Sequence, residues 1–448
     1  MPVIDHDNDL QSWGRVERLK RTIIQSDALR GSNVQVLPFG NGRSYGDSCH
    51  SDNGVLLNTR SNAQIHNFDP QSGVLNADAG VLLVDVLRHV IPYGFFLEVT
   101  PGTSYITLGG AIANDVHGKN HHVKGTFGHC VQSFTLIRSD IDSAVMCSRE
   151  ENSELFAATI GGMGLTGLIT HVTMKLMKVA SPDIEQKSIR FNNLDQYFDI
   201  CDEIDNQHEY SVAWIDQLTS GANFGRGVLM AGDHAHAGKG ENSLPKSAPK
   251  PAKLSVPFTP PINLINKLSL TAFNAAYFHK AKAGTHYSVV PWQGYFYPLD
   301  AIKGWNKLYG PKGLFQHQSV YPLTGGRETT ILLLECAKRH NHASFLTVLK
   351  RFGAMKSSGI FSFPREGFTL TLDFANQGER TLKFLRELDE ITMAAGGAVN
   401  PYKDQRMAPD VFEASFPAWR DLEKHRDPKF ISNFWQRTAM QLNTSVSK

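Results

Sequence analysis

The sequence has little cysteine, no long hydrophobic run and almost no net charge. Its five cysteines are scattered and include no Cys-x-x-Cys pair. This argues against a disulfide framework or a zinc knuckle and favours a reducing compartment. The sequence contains no run of about 18 apolar residues, the length that spans a bilayer. Residues 1–21 lack the apolar stretch of a signal peptide, so we expect a cytoplasmic protein.

The charges are balanced, with 45 basic and 43 acidic residues and a net charge of +2. The chain is not strongly basic, as many nucleic-acid-binding proteins are, so we expect no nucleic acid partner. Of the 448 residues, 41% are apolar and 20% are charged, as is usual in soluble globular proteins. The length suits two or three domains.

Residues 33–110 have the pattern of short strands separated by turns. The strand candidates are VQVLPF, GVLLNT and GVLNADAG, and residues 69–73 predict a hairpin turn. LLVDVLRHVIPYG has helical spacing and ends at Pro92 and Gly94. Further along, the sequence predicts a strand (CVQSFTLIRS), a helix with a Ser148-x-x-Glu151 start signal, and a strand (LITHVTMKLMKV).

The pattern changes near residue 181, and residues 182–395 alternate strands with helices. One insert, residues 244–261, is rich in proline and lysine, which predicts a mobile loop. It leads into INLINKLSLTAFNAAYFHKAK, an apolar helix with three lysines. Two interpretations stay open: a loop with a packed surface helix, or a flap over a site that also contacts lipid at the inner face of a membrane.

The segment GGMGLTG, residues 161–167, matches G-x-G-x-x-G in the wrong context. A dinucleotide-binding Rossmann motif needs a strand before the glycines and a helix after them. Here the helical SELFAATI comes before them and the alternating LITHVTMKL comes after. We therefore expect no nicotinamide site, and we interpret these glycines as points of close approach between elements or to a ligand.

The loop VLPFGNGRSYGDS, residues 36–48, follows a strand, but a turn and a strand come after it instead of a helix. Its three glycines allow the positive φ angles of a backbone nest that binds an anion. Arg43 adds positive charge to such a nest. A plain surface turn is the alternative for this loop taken alone.

A second glycine cluster favours the anion-binding interpretation. Gly102, Gly109 and Gly110 precede AIANDVHGKN, about 60 residues beyond the first loop. Two such loops, each at the end of a strand, are suited to bracket one diphosphate. His117 and Lys119 would then lie near the reactive end of the ligand.

Four histidines of this region, His117, His121, His122 and His129, raise the question of a metal site. They form no H-E-x-x-H motif, and Gly118 argues against a helix that places His117 and His121 on one face. We expect no metal, and we interpret the last three as ordinary polar residues with partners.

Lys403 lies in GGAVNPYKDQR, residues 396–406, a second segment in which glycines and polar residues follow a helix. An exposed lysine is the ordinary interpretation. The functional alternative is a fixed cation beside an electron-accepting ring.

Taken in order, six segments resemble the flavin oxidases of the vanillyl-alcohol oxidase superfamily, which have a PCMH-type FAD-binding domain. They are PFGNGRSYGDS, TPGTSYITLGGAIANDVHGKNHH, SELFAATIGGMGLTG, YSVAWID, YPLD and KDQR. Within this superfamily the chain is similar to the decaprenylphosphoryl-β-D-ribose 2-oxidase family over nearly its whole length. The similarity is strongest in residues 36–175.

The resemblance implies an α+β fold with two parts. Residues 1–181 would form the FAD-binding domain, and residues 398–448 would complete it. Residues 182–397, with the loop 244–261, would form an inserted substrate-binding domain of antiparallel sheet and helices.

The resemblance also implies site residues. The FAD contacts would come from the two glycine loops and a few further positions: Pro38, Phe39, Gly40, Asn41, Gly42, Arg43, Ser44, Tyr45, Gly46, Asp47, Ser48, Gly102, Thr107, Leu108, Gly109, Gly110, Asn114, Asp115, Val116, His117, Ile169 and Asn400. Gln318, Lys350 and Lys403 would face the substrate. The catalytic candidates are Lys403, which would stabilise negative charge or orient the hydroxyl, and His117 or Lys119, either of which would manage the proton.

Two positions depart from the family. Thr371 stands where the family has a cysteine near the flavin, and Asn400 stands where it has a tyrosine, with Tyr402 close by. Both changes would reshape the sugar pocket. Relatives with covalently attached flavin use a histidine in the first loop, and this loop has Arg43 and Tyr45 without a histidine, so we expect FAD to be noncovalent.

The implied function is oxidation of a sugar secondary alcohol to a ketone, at C2 of a polyprenyl-phosphate pentose. This would be the first half of a 2-epimerisation in cell-envelope polysaccharide synthesis, completed by a separate nicotinamide-dependent reductase. One alternative is an FAD-linked oxidase of alditols, aldonolactones or nucleotide-sugars. The other is a flavin-binding protein without catalysis.

Overall fold

The computed structural model describes residues 10–17, 21–25, 34–236 and 252–445. In these residues, strands form sheets of three, five and eight strands and two small two-stranded sheets. The strands, in chain order, are β1 Ile23–Gln25, β2 Val36–Phe39, β3 Val55–Asn58, β4 Ile65–Asp69, β5 Val74–Asp78, β6 Phe95–Phe96, β7 Val131–Ile137, β8 Val145–Ser148, β9 Leu168–Lys175, β10 Met177–Lys178, β11 Ile184–Phe191, β12 Tyr210–Ile215, β13 Gly227–His234, β14 Leu254–Ser255, β15 Gly284–Val290, β16 Ile302–Lys303, β17 Leu314–Tyr321, β18 Ser344–Phe352, β19 Gly367–Ala375 and β20 Ala398–Val399.

Helices pack against these sheets. They are α1 Leu83–Val90, α2 Leu108–Ala113, α3 His121–Lys124, α4 Ser153–Thr159, α5 Leu194–Gln207, α6 Lys267–Lys280, α7 Trp292–Phe296, α8 Gly326–Arg339, α9 Glu379–Ala394, α10 Pro409–Ser415, α11 Trp419–His425, α12 Asn433–Arg437 and α13 Ala439–Ser445. None of the described helices is long and apolar enough to cross a membrane.

The three-stranded sheet carries the first glycine loop. Its strands are parallel in the order β1-β3-β2, and β2 ends at Phe39, directly before Gly40. The C-terminal part of the chain packs on this sheet. The Val36 N–H donates to the Lys429 carbonyl at 2.8 Å, and the Ile431 N–H donates to the Val36 carbonyl at 3.1 Å. Distant parts of the chain therefore meet beneath the first glycine loop.

The five-stranded sheet has the order β4-β5-β9-β7-β8, with antiparallel neighbours. The predicted hairpin turn at 69–73 is confirmed, because the Gly73 N–H donates to the Asp69 carbonyl at 2.7 Å and Gly73 has a φ of 72°. Helix α4 precedes the third glycine cluster and strand β9 follows it. This is the reverse of a Rossmann motif, as the sequence predicted.

The eight-stranded sheet has the order β15-β11-β13-β12-β18-β19-β17-β20 and is antiparallel. Helices α5, α8 and α9 share one apolar core with this sheet. Side chains alternate along a strand, so Leu370 and Leu372 of β19 lie in that core. Thr371 alternates with them and lines the cavity described below. The α+β class is confirmed.

The predicted helix start at Ser148 is wrong. Ser148 Oγ accepts the Glu151 N–H at 3.0 Å, but this bond closes a turn after β8 and does not cap a helix. Asn152 follows with a left-handed φ of 51°, and helix α4 begins at Ser153. Asx and Ser turns use the same hydrogen bond as a helix cap, so the two are hard to distinguish from sequence.

The helix predicted after the proline-rich insert begins at Lys267, where Asn266 caps it by accepting the Ser269 N–H at 3.2 Å. Residues 244–251 of the predicted loop lie outside the described residues. In the described remainder, β14 pairs with β16. Strand β20 pairs with β17 of the eight-stranded sheet, and the domain boundaries near 181 and 397 stay predictions.

Candidate active site

A cavity of about 830 Å³ lies between the glycine loops and the eight-stranded sheet. Its wall combines residues of all three glycine clusters with Lys350, Thr371 and Lys403. The volume falls within the range of about 300–1,000 Å³ that is usual for small-molecule and cofactor sites. The fold therefore joins the predicted anion-binding loops and the predicted substrate-facing residues in one space.

The first glycine loop is fixed from two sides. The Trp13 N–H donates to the Ser44 carbonyl at 2.7 Å, so the N-terminal segment holds the loop. On the other side, a Cβ on Gly46 would lie only 1.5 Å from the Asp404 carbonyl oxygen. Glycine is required here because the loop touches the backbone of the segment that carries Lys403.

The second glycine loop packs directly on the first. Thr107 caps helix α2 by accepting the Gly110 N–H at 3.0 Å. A Cβ on Gly40 would lie 2.7 Å from Thr107 Oγ1, so the absence of a side chain at Gly40 permits this contact. The two loops thus form one continuous wall of the cavity.

The YPLD segment positions the second glycine loop. The Asp300 carboxylate accepts hydrogen bonds from Thr103 Oγ1 at 2.6 Å and from the Ser104 N–H at 2.8 Å. Tyr297 of the same segment is hydrogen-bonded to Thr100 through its hydroxyl group. These contacts explain why YPLD belongs with the glycine loops although it lies almost 200 residues away along the chain.

Arg43 provides a cation within the first loop. Its guanidinium lies 4.3 Å from the ring centre of Trp13 and 5.7 Å from that of Tyr105. Arg43 Nε and Ser48 Oγ are buried and have no hydrogen-bond partner among the described residues. Buried polar groups are nearly always paired, so these two donors suit an anionic ligand in the cavity.

Lys119, Lys350, Lys403 and His117 form a cluster in the wall of the same cavity. Burial lowers the pKa of Lys119 to about 7, and its Nζ donates to the Tyr295 carbonyl. Burial, together with Lys403 and Lys119, lowers the pKa of Lys350 to about 7. Burial, together with Lys350 and Lys403, keeps the pKa of His117 well below its usual value. The cluster therefore includes proton acceptors near neutral pH.

A line of hydrogen bonds leads to His117. The Tyr402 N–H donates to Asn400 Oδ1 at 2.9 Å, and Asn400 Nδ2 donates to Gln318 Oε1 at 2.9 Å. Gln318 Nε2 donates to Thr369 Oγ1 at 3.0 Å and lies 3.2 Å from His117 Nε2. The other ring nitrogen, Nδ1, lies 3.3 Å from Lys350 Nζ.

Asp373 is the carboxylate whose charge raises the pKa of Lys403. Burial lowers the pKa of Lys403, and the negative charge of Asp373 opposes that effect. Burial raises the pKa of Asp373, while Gln316, whose Nε2 donates to Asp373 Oδ1, and Lys403 oppose that rise. Lys403 Nζ also lies 5.8 Å from the ring centre of Tyr45. Lys403 is therefore a half-buried cation whose protonated form a carboxylate favours, and not an exposed lysine.

Most of the predicted site residues line the cavity. They are Pro38, Gly40, Asn41, Gly42, Arg43, Ser44, Tyr45, Ser48, Gly102, Thr107, Gly109, Gly110, Asn114, Asp115, Val116, His117, Lys119, Ile169, Lys350, Asn400 and Lys403. The others lie behind its wall. They are Phe39, Gly46, Asp47, Leu108 and Gln318. Contacts of these residues with FAD or substrate stay predictions.

Asp373, Gln316 and Trp13 belong to the site although they were not predicted from the sequence. Asp373 is the carboxylate of strand β19 and follows Thr369 and Thr371 on the face opposite Leu370 and Leu372, so a charge on that polar face was a usable signal. Gln316 is one of several polar residues of the fully buried strand β17, and a buried polar side chain was the same kind of signal. Trp13 gave no signal, because its role depends on a contact with a loop 30 residues away.

The neighbouring histidines have protein partners. His121 Nδ1 accepts the Gly353 N–H at 3.2 Å, His122 Nε2 lies 3.0 Å from a backbone carbonyl, and so does His129 Nε2. In the described part of the chain, groups close enough to share a metal ion are His66 with Asp78 and His171, and Cys336 with His340 and Glu387. Neither group includes a histidine considered from the sequence.

Comparison with known proteins identifies the family. A family model described as an FAD binding domain matches residues 26–140. The decaprenylphosphoryl-β-D-ribose oxidase of Mycolicibacterium smegmatis is 31% identical, over 96% of this chain and 97% of its own. This chain belongs to the decaprenylphosphoryl-β-D-ribose oxidase family. An uncharacterised Streptomyces coelicolor protein is 29% identical over 78% of the chain, and the L-gulonolactone oxidase of Mus musculus is 27% identical over 33%.

Membership of the decaprenylphosphoryl-β-D-ribose oxidase family makes the chain an FAD-dependent oxidoreductase with a PCMH-type FAD-binding domain. The cavity fits FAD in its size, in the close packing of its two glycine loops and in the unpaired donors on Arg43 and Ser48. The predictions of FAD as cofactor and of this superfamily are confirmed.

Proposed function

We propose that the protein oxidises the C2 hydroxyl of a polyprenyl-phosphate pentose to a ketone. The observation that carries this proposal is the shared cavity, which the two glycine loops and a cluster of half-buried lysines line together. The relative that matches nearly the whole chain is named as an oxidase of decaprenylphosphoryl-β-D-ribose. The named sugar of that relative is the basis for the choice of ribose.

We propose that the first loop, residues 40–48, and the second loop, residues 102–110, hold the diphosphate of FAD. Arg43 Nε and Ser48 Oγ supply donors that have no partner among the described residues. When bound, FAD supplies the two-electron oxidant for the alcohol carbon. The protein supplies position, charge and a proton acceptor.

Lys403 provides positive charge in this proposal. It lines the cavity beside Tyr45, and Asp373 favours its protonated form. A fixed half-buried cation stabilises negative charge that develops during the reaction, because the surroundings are largely shielded from water. Lys119 and Lys350, whose pKa values are about 7, are able to hold or accept a proton.

An apolar surface beside the cavity suits a polyprenyl tail. Leu254, Phe258, Ile262 and Leu268 are all more than 60% exposed and follow one another along the chain. A patch of exposed apolar side chains is a common contact site for a partner or for lipid. Strand β14, which carries Leu254, pairs with β16, and Lys303 of β16 lines the cavity. We propose that this surface contacts the lipid carrier and the membrane face.

We further propose that FAD is bound without a covalent link and that a separate nicotinamide-dependent reductase converts the ketone to the epimeric alcohol. The first loop contains no histidine. Cys49 lines the cavity, but burial raises the pKa of its thiol to about 12, so it is not a nucleophilic thiolate near neutral pH.

Product analysis tests the proposal. With a dye as electron acceptor, the purified protein should convert polyprenyl-phosphate ribose to its 2-keto form. Trapping with borodeuteride should then place deuterium at C2 of the recovered pentose. Deuterium at another carbon would refute the assigned position, and turnover of free alditols or aldonolactones alone would refute the lipid-linked substrate.

A further inference from the structure

Building on the proposed function, we propose that Lys350 is the amine that accepts the proton of the substrate hydroxyl, and that Asn400 and Gln318 are positioning residues that favour this amine through His117.

The direction of the hydrogen bonds is set at Tyr402. A backbone N–H can only donate, so the atom of Asn400 that it reaches at 2.9 Å must be the carbonyl oxygen. The amide nitrogen of Asn400 therefore donates to Gln318 Oε1, at 2.9 Å. Gln318 then presents its own amide nitrogen to His117 Nε2, at 3.2 Å. His117 must accept at Nε2.

This fixes the tautomer of His117. A neutral imidazole has one donor and one acceptor nitrogen. Burial keeps the pKa of His117 well below its usual value, so the ring is neutral near pH 7. Since Nε2 accepts from Gln318, the hydrogen is on Nδ1. That N–H lies 3.3 Å from Lys350 Nζ.

An N–H on His117 disfavours an ammonium at Lys350. An ammonium has three N–H groups and no lone pair, whereas an amine accepts a hydrogen bond. The amine form of Lys350 is therefore able to accept from His117 Nδ1 and to donate to the Gly118 carbonyl at 3.2 Å. The pKa of about 7 for Lys350 agrees with this arrangement.

The neighbouring cations act on Lys350 in the same direction. Lys403 and Lys119 lower the pKa of Lys350 after burial itself. Burial and the positive charge of Lys350 lower the pKa of His121 to about 3, so this histidine is neutral. The carboxylate of Asp373 acts mainly on Lys403. Lys350 is thus the cavity lysine whose amine form also has a specific hydrogen-bond donor.

The proposed step is a proton transfer coupled to hydride loss. Lys350 Nζ has one lone pair, which must leave His117 Nδ1–H before it takes a proton, and the Gly118 carbonyl is the other acceptor beside that ring. The O–H bond of the substrate then breaks, and its proton goes to Lys350 Nζ, which becomes an ammonium. The electron pair of that bond forms the second bond of the carbonyl. The hydrogen on carbon would leave with its bonding electron pair as hydride, and the FAD that the two glycine loops would hold would supply the two-electron oxidant. Lys350 returns to the amine by releasing its proton to water after the ketone leaves.

Histidine NMR tests the tautomer without any substrate. The FAD-loaded protein is labelled with ¹⁵N-histidine, and His117 is assigned by the signals lost in His117→Gln. We expect a protonated, pyrrole-type Nδ1 and a pyridine-type Nε2. In Asn400→Asp the new side chain cannot donate, so Gln318 turns its amide and offers Oε1 to His117. The hydrogen should then move to Nε2.

The pH profile of flavin reduction tests the role of Lys350. The rate of flavin reduction should fall as the pH drops below the pKa of Lys350. In Asn400→Asp this acid limb of the pH profile should move up by about one to two pH units, because His117 Nδ1 now accepts a hydrogen bond from the Lys350 ammonium. Thr369→Val is the matched control. It removes another hydrogen bond of Gln318 but leaves the direction of the others intact, so tautomer and limb should not change.

Three outcomes would overturn the proposal: a pyrrole-type Nε2 in the unmodified protein, an unchanged tautomer in Asn400→Asp, or a limb that shifts without a change of tautomer. The last would show that the added charge alone acts on Lys350. If no polyprenyl-phosphate pentose reduces the flavin, the proposed function fails. The NMR measurement of the His117 tautomer needs no substrate, so it still tests the hydrogen bonds from Tyr402 to His117 separately.

Discussion

Arg437, in the C-terminal part of the chain, donates to the Asp47 carboxylate of the first glycine loop, with 2.7 Å between Nε and Oδ2. The same guanidinium reaches Asp404, next to Lys403, with 2.7 Å between Nη2 and Oδ2. Both carboxylates are nearly inaccessible to water. One side chain therefore holds together the FAD-binding loop and the segment that carries the proposed cation.

Arg437→Met should destabilise the protein and weaken FAD binding. The substitution leaves Asp47 buried without its cation and leaves Asp404 with Arg406 alone, 3.4 Å away. Removal of one partner of a buried ion pair typically costs about 3–5 kcal/mol of unfolding free energy. The lower end applies here, because the Arg437 side chain is 26% exposed. Urea unfolding and the flavin retained on gel filtration measure the two effects.

Arg420→Met is the control for this substitution, since its partner Glu413 is exposed, and we expect a loss of about 0–1 kcal/mol. Equal unfolding free energies for the two variants would show that Asp47 and Asp404 do not depend on Arg437.

Lys403→Ala should slow anaerobic flavin reduction by about 10²–10³-fold, as is typical when one group that stabilises developing charge is removed.

Asp373→Asn should change the reaction through the pKa of Lys403. Asp373 raises this pKa against burial, so its loss lowers the pKa. The protonated form is then lost at lower pH, and the alkaline limb of the reduction rate should move down. Stopped-flow profiles measure both effects, and a fixed alkaline limb in Asp373→Asn would remove Lys403 as its source.

Acid precipitation should release the flavin from the protein. No histidine is present in the first loop, and the Cys49 thiol has a pKa raised to about 12 by burial. The supernatant should contain all of the yellow colour, and the intact protein mass should equal that of the chain alone. Colour that stays with the pellet would show a covalent link.

The free energy of unfolding should fall in acid because buried histidines gain a proton on unfolding, and His342 is one of them. Burial, together with Arg380 and His340, lowers its pKa to about 4. The unfolded state therefore binds more protons between about pH 6.5 and pH 4, and this contribution is present above pH 6.5 and lost as the pH falls. His342 stacks on Phe384 with ring centres 4.6 Å apart, so His342→Phe keeps the packing.

Across that window, the unfolding free energy of the original protein should fall relative to His342→Phe by up to about 1.4 kcal/mol per pH unit. Urea unfolding at pH 7, 6 and 5 measures the difference. Parallel curves for the two proteins would mean that His342 does not titrate differently on unfolding.

The glycine loops were predictable because glycine spacing after a strand is a local property. The same holds for the hairpin at 69–73 and for the order of helix and strand around the third cluster. Helix starts were less certain: Ser148 and Asn266 offer the same kind of side-chain cap, and only Asn266 begins a helix. Tertiary context distinguishes the two, because at Ser148 strand β8 ends and the chain has to turn before a helix begins.

The hydrogen-bond line to His117 was not predictable from the sequence. It depends on the pairing of β17 with β20, which brings Gln318 beside Asn400, and on the contact of β17 with the segment after α2. The resemblance marked Gln318, Lys350 and Asn400 as separate ligand contacts. Their mutual geometry arises only when distant strands meet, so the direction of their hydrogen bonds became visible in the structure.

The most direct test of the proposed reaction is single-turnover flavin reduction, without oxygen, by polyprenyl-phosphate ribose with hydrogen or deuterium at C2. We predict that the yellow colour bleaches, that deuterium at C2 slows the bleaching because that C–H bond breaks in the step, and that free alditols and aldonolactones leave the flavin oxidised. Bleaching by free polyols but not by the lipid-linked pentose would contradict the proposed function.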